Sequence, residues 1–247
     1  MLIRLIFIIF LFSCSSFAAS NFEEDEFETF ESSISPLEEI YDPLEKANRK
    51  IFAFNEVADK YAIEPAARGY RKAIPKPVRE SIHNFLNNLS LPFSALNSFA
   101  QGKVSNGLAT FSNFLINSTV GIGGLFDVAR KKGVYFKPED FGQTFAHYGA
   151  GPGPYLMLPL LGPSNFRDAS GLTVNTIISP IGFNIFQLGD QKSIMHDEYL
   201  FTIVGLTAID SREGLIEVVE DIRNDSFDPY STIRSAYLQK RTNEIKN

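Results

Sequence analysis

The chain has 247 residues, 23 Phe, no Trp, one cysteine and a formal net charge of −6, a length that fits one domain or a small pair. A single cysteine cannot pair within the chain, so no disulfide framework holds the fold. From Asp42 onward there are 21 acids and 22 bases, and a body this close to neutral disfavours nucleic acid as a partner.

Residues 1–20 read as a signal segment. Arg4 supplies a positive start, and Leu5–Phe12 is an apolar run of eight residues, too short to span a bilayer as a helix. Leu11-Phe12-Ser13-Cys14 resembles a bacterial lipobox, with Phe12 departing from the usual small or β-branched residue. On that reading Cys14 is the lipid anchor. The competing reading cuts the chain near Ala18, with Ser16 and Ala18 as the small residues. Residues 1–41 carry eight acids and one base, so the acidity belongs to the tail, and 21–41 reads as an acidic flexible tether.

Asp42-Pro43-Leu44-Glu45 reads as a helix start, with Asp42 as the cap, Pro43 at the first position and Glu45 reaching back in a capping box. Leu44, Ala47, Ile51, Phe54, Val57 and Tyr61 follow at helical spacing. A second helix begins near Pro77. Pro92 is expected to break it, leaving a short helix that Gly102 stops. Val104, Leu108, Phe111, Leu115 and Ile116 mark the next helix, which ends at Gly121-Ile122-Gly123-Gly124. A short helix over Leu125–Lys132 is capped by Gly133, and residues 133–137 are extended or a hairpin tip. Helix resumes over Glu139–Tyr148. Further helices are expected over Phe166–Ile178, Ile194–Thr207 and Glu213–Arg223, and after Asp228-Pro229. No repeat is present, and no alternation is long enough to support a sheet. The fold class is mostly α: one helical domain over 42–247, its short helices joined by Gly/Pro turns.

The stretch from Phe141 to Phe166 holds no Asp, Glu, Lys or Arg and is dense in Gly and Pro. It cannot form a long helix. It is either a buried loop or a surface that faces acyl chains or a channel. On the second reading Tyr155, Leu156, Met157, Leu158, Leu160 and Leu161 face lipid, while their backbone bonds to neighbouring helices.

Catalytic signatures fail. Gly121–Gly124 lacks the dinucleotide pattern, having Phe at position 126, and reads as a helix terminus or hinge. Asp140-Phe141-Gly142 has no kinase catalytic loop before it. His83, His147 and His196 share no metal spacing. No catalytic residue, metal or cofactor is expected. Two charge fields stand out: nine bases and three acids from Lys46 to Arg79, and nine acids and two bases from Asp197 to Asp228. The basic field reads as a contact for anionic head groups or an acidic partner, or as a solvated helix face.

Several ordered segments resemble the MlaA family, also called VacJ lipoproteins: DPLEKANRKIFAFN, PKPVRESIHNFLNNL, FLINSTVGIGGLFDVA, DFGQTF, GPYLMLPLLGPSNFRD and DPYSTIRSAYLQKR. Phe145-Ala146 departs from the family's common Leu-Gly. The resemblance covers about Asp42 to Arg241. It puts weight on Asp42, Pro43, Leu44, Glu45, Asn48 and Arg49, on Asp140, Phe141, Gly142 and Gln143, and on Gly153, Pro154, Tyr155, Arg167 and Asp168. Phe54, Asn55, Gly121, Gly123 and Gly124 are expected at the channel or hinge, the glycines because three in four positions leave the backbone permissive.

The resemblance implies a ring-like helical protein in the inner leaflet of the Gram-negative outer membrane, beside a trimeric porin. Such a protein takes phospholipid that has strayed into the outer leaflet and passes it through an amphipathic channel to a soluble periplasmic carrier, MlaC. The alternative class is a structural or partner-binding lipoprotein with indirect effects on lipid content.

Overall fold

The computed structural model describes residues 42–179 and 197–246. Cys14, the signal segment, the tether and His196 lie outside them, as do the first residues of the helix expected from Ile194.

Helix α1 (Glu45–Ala58) runs through a π-helical turn (Asp59–Ile63) into α2 (Glu64–Ala73). At that turn Glu64 N–H reaches back to Asp59 C=O, and Pro65 follows with no donor of its own. The wider turn thus sits where the ordinary ladder would fail. The helix start differs from the expected capping box. Leu44 occupies the cap position with no side-chain bond, and Glu45 pairs with Arg49 at 2.7 Å. The Asp42 carboxylate is shared instead. It accepts Leu44 N–H at 3.2 Å, Asn48 Nδ2 at 3.0 Å, Arg234 Nη1 at 3.1 Å and the Tyr230 hydroxyl.

Helix α3 (Lys76–Ala100) continues through Pro92, so the expected break does not occur. Leu91, Ser94 and Ala95 around the proline are buried. Packing there outweighs the roughly 3 kcal/mol that an interior proline costs. Gly102, at φ +74, stops α3, and α4 (Val104–Thr119) packs back along it. Gly107 makes that approach possible, because a Cβ there would sit 2.6 Å from the Phe99 ring.

The short α5 (Val128–Lys131) starts three residues later than expected, with Asp127 as its cap. Gly133, at φ +80, ends it. Residues 133–137 carry no regular structure. Helix α6 (Phe141–His147) opens with a full capping box between Asp140 and Gln143.

The chain then makes a hairpin that its sequence did not announce. Strand β1 (Tyr155–Leu158) pairs antiparallel with β2 (Gly162–Asn165), Tyr155 opposite Asn165 and Leu158 opposite Gly162. Leu160 and Gly162 turn the chain at positive φ. Helix α7 (Phe166–Ile178) follows, its first turn capped by the Asn165 side chain. Then come α8 (Asp197–Gly214), α9 (Ile216–Asp225) and α10 (Pro229–Lys246).

Tyr155 and Met157 of β1 pack with Tyr230 and Tyr237 of α10, flanked by Ile51 and Phe52 of α1. The Tyr155 ring meets those of Tyr230 and Tyr237 edge-on, each at 6.2 Å. Contacts run in a closed circuit: α1 on β1, β2 on α10, α10 on α6, α6 on α3, α3 on α8, and α8 on α2. The first helix pair thereby closes against the last helices of the chain.

Candidate membrane surface and polar interior

Helix α4 is built the reverse of a helix in a water-soluble protein. Val104, Leu108, Phe111 and Leu115 share one face and are 43% to 55% exposed, while Thr110, Asn113 and Asn117 on the other face are buried. The buried face also holds Gly107. On α3, Leu89, Leu96 and Phe99 are exposed while Asn88, Asn97 and Ser98 are buried. On α1, Phe54 and Val57 are exposed, and the one buried residue is Asn48. A contiguous outward apolar face of this kind marks contact with lipid or with a partner protein.

The inward amides have a task. Asn117 accepts the N–H groups of Val128 and Ala129 at 2.9 Å each and donates to Asp127 at 3.1 Å. Asn113 donates to Val134 C=O at 3.0 Å. Asn106 holds Lys137 by both its C=O and its N–H at 2.8 Å. Glu139 N–H donates to Ser94 Oγ at 2.8 Å. The irregular segment after Gly124 is therefore stitched along α4. A neutral amide both donates and accepts, so it satisfies non-helical backbone away from water without burying a charge.

The same device docks the hairpin. Asn48 donates to Tyr155 C=O at 3.0 Å and accepts Met157 N–H at 2.9 Å. Asn55 donates to Leu158 C=O at 2.9 Å and accepts Leu160 N–H at 2.6 Å. Asn97, Gln101 and Thr144 form a further buried set around Glu139, whose carboxylate takes Gln101 Nε2 at 2.9 Å and Lys103 Nζ at 2.6 Å.

Charge is spent internally. Arg241 bridges Asp140 and Asp168, at 2.8 Å to each. Burial pushes the Asp168 carboxyl up. Arg241, the Tyr237 hydroxyl at 2.5 Å and Arg167 outweigh that and hold it at about 2. The two charge fields seen in the sequence are partners of one another. Arg49 takes Asp228, Arg68 takes Glu220, and Arg71 takes Glu213 and Glu217. Arg223 joins Glu56, Asp59 and Glu64 around the π turn, and Arg212 joins Asp59. The arginines of the basic field are thus committed to this chain's own acids. Lys46, Lys50, Lys60 and Lys72 remain exposed.

A family model described as "MlaA lipoprotein" matches residues 40–244. The chain belongs to the MlaA lipoprotein family. The "Intermembrane phospholipid transport system lipoprotein MlaA" of Escherichia coli K12 is 34% identical over 81% of this chain and 76% of its own length. The Haemophilus influenzae protein of that name is 31% identical over 82% and 78%. An uncharacterised Rickettsia bellii protein is 35% identical over 98% and 93%. A solved structure described as the "structural basis for maintenance of bacterial outer membrane lipid asymmetry" superposes with a TM-score of 0.68 at 34% identity, covering 83% of this chain and 99% of that one.

The segments that resemble MlaA sequences are the ones that close the fold. DPLEKANRKIFAFN contributes Asp42, Asn48, Arg49 and Asn55, each bonded to the hairpin or to α10. Pro43 and Leu44 are exposed there. In DFGQTF, Gly142 has no room for a side chain: a Cβ would lie 2.4 Å from Asp168 Oδ1, and one on Gly171 would lie 2.5 Å from Gly142 N. Phe141 rests beside Phe145 with ring centroids 6.4 Å apart. Gly153, at φ +67, lies close under Phe166, and Pro154 C=O accepts Phe166 N–H. Asp168 and Arg167 sit in the Arg241 cluster.

Two of the six residues expected to face lipid do not. Tyr155 and Met157 are buried, while Leu156, Leu158, Leu160 and Leu161 are half-buried. A strand sends alternate side chains to opposite faces, so only half of β1 could face outward. Asn55, expected at a channel or hinge, is a hairpin clasp, and Phe54 beside it is exposed. Of the glycines, Gly121 and Gly124 are close-packed: a Cβ would lie 2.3 Å from Phe126 O and 2.6 Å from Asn88 Cβ respectively. Gly123, at φ +70, has nothing within 4 Å. His83 bonds Asp210 at 2.8 Å and Asn87 at 2.8 Å. His147 packs edge-on to Tyr148. Among the described residues no helix is long and apolar enough to cross a membrane.

Proposed function

We propose that this chain sits in the outer membrane, anchored through Cys14, and moves misplaced glycerophospholipid from the outer leaflet to a soluble periplasmic carrier of the MlaC kind, working beside a trimeric porin. The observation that carries the reading is the inversion of α4, apolar outward and amide-lined inward. An apolar rim suits acyl chains, and the buried amides behind it hold irregular backbone beside lipid with its polar groups satisfied. Family membership and the names of the E. coli and H. influenzae relatives support the same reading. A Cβ on exposed Gly123 would meet nothing within 4 Å, so it is the one glycine of its cluster with side-chain room to act as a hinge. Such transfer needs no bond broken, so it asks for no nucleophile.

The test is reconstitution. Proteoliposomes holding this protein with a porin should pass labelled phospholipid to the soluble carrier, and those with porin alone should not. Equal transfer in both would leave a structural lipoprotein as the better reading. Mass spectrometry of the mature protein settles the anchor: a chain beginning at Ala19 or Ser20 would remove Cys14 from it.

A further inference from the structure

We propose that the cleft at the start of α4 binds the head group of an anionic phospholipid whose chains lie along the apolar face of that helix. The cleft is open to solvent, holds about 610 Å³, and its lining includes Lys103, Ser105, Asn106, Tyr135, Lys137 and Glu139. Glu139 is already neutralised by Lys103 at 2.6 Å, and Gln101 satisfies its other oxygen. Lys137 has no acidic partner among the described residues, while its backbone is fixed on both sides by Asn106. The net charge of the cleft is therefore positive, and the backbone that carries Lys137 is fixed while its side chain stays exposed.

Two further features favour an anion. The N-terminus of α4, which has no side-chain cap, lies at the cleft and puts the positive end of the helix dipole there, with Val104 N–H bonded to Gly102 C=O. From Val128 to Pro138 there is no acid, and Lys131 and Lys132 stand exposed on that segment. Val104 lies on the cleft wall and begins the stripe that runs through Leu108 and Phe111 to Leu115. Eleven residues of helix carry that stripe about 16 Å. The geometry thus puts a phosphate position at one end of a chain-length apolar track. A zwitterionic head group would bring its own ammonium toward Lys137, so the site prefers a net negative one. The inference rests on reading the apolar face as lipid-facing, but it concerns a peripheral site and not the transfer route.

The chain has no tryptophan, so Tyr135→Trp places in the cleft a single tryptophan that can be excited selectively over the remaining tyrosines. Protein carrying it, in neutral detergent, is titrated with phosphatidylglycerol, phosphatidylethanolamine and inorganic phosphate. A saturable response to phosphatidylglycerol is expected, weaker by about tenfold with phosphatidylethanolamine and absent with phosphate at the same concentration. Lys137→Glu, and to a lesser degree Lys137→Gln, should weaken the phosphatidylglycerol response. Lys50→Glu, on an exposed lysine of α1, should leave it unchanged. Equal responses to the two lipids, a response to phosphate alone, or equal loss in the Lys50 and Lys137 variants would each overturn the site. Lipid transfer is not read in this experiment, so a failed titration leaves the transport reading standing, and failed transfer leaves this site standing.

Discussion

Asn48 and Asn55 lie seven residues apart on α1, and both grip the same strand edge, each through one carbonyl and the N–H two residues on. Seven helical residues rise about 10 Å, and three strand residues advance about 10 Å. That match lets one helix face replace the missing third strand of a hairpin. Asn48→Ala leaves Tyr155 C=O and Met157 N–H without partners, which should cost about 2–4 kcal/mol. Asn48→Asp should be at least as damaging, since it loses both donated bonds and puts a carboxylate beside Asp42. Thermal melts of the two variants in detergent decide this, and an Asn48→Asp protein as stable as the parent would contradict the clasp.

The inversion of α4 reverses the usual rule for tolerated substitutions. Leu108→Asp, on the exposed face, should keep the helical content and lose membrane association. Asn113→Leu, conservative by volume, should instead destabilise by about 1–3 kcal/mol, because Val134 C=O then has no donor. Vesicle flotation and circular dichroism melts on both proteins separate the two effects.

Gly123 and Gly124, after α4, should respond differently to alanine. Gly123→Ala meets only the conformational cost of a left-handed residue, about 1 kcal/mol. Gly124→Ala adds a collision with Asn88 Cβ at 2.6 Å to a φ of +94 and should be clearly worse. Melting temperatures in the reverse order would show that α3 yields at this point.

Asp168 links stability to pH. Its folded value of about 2 lies below the ordinary 3.8, so its contribution is fully present above about pH 4 and is lost as pH falls toward 2. That lowering corresponds to about 2–3 kcal/mol. Asp168→Asn should destabilise at neutral pH by about 3–5 kcal/mol, because Arg241 stays buried with one partner fewer, and should flatten the acid limb. Melts between pH 2 and pH 7 on both proteins test it, and parallel curves would exclude Asp168 as the titrating group.

Helices with strong punctuation were legible in the sequence. Phe166–Ile178 begins and ends as expected, and Asp228-Pro229 opens the last one. Pro92 misled because local propensity says nothing about the buried residues around it. The hairpin was hidden by its size, four residues a strand with Pro159 between. Apolar periodicity found the right helices but left the sense of each face open: the same 3.6-residue pattern fits a core face and a lipid face alike. The signal that could have settled it was the second pattern, Asn106, Asn113 and Asn117 on the opposite side of α4, which a water-facing surface has no reason to keep uncharged. The pairing of the two charge fields was hidden too, since it joins residues more than 140 positions apart.

In water, the stripe of Val104, Leu108, Phe111 and Leu115 has nothing to cover it but another copy of itself. If that face seats the protein in a bilayer, it works against it beforehand, and detergent-free protein should sediment as aggregates. On the reading that the chain is exported, it must cross an aqueous compartment with that stripe shielded. Delivery by an escort and residence in the membrane are then two consequences of one helix face.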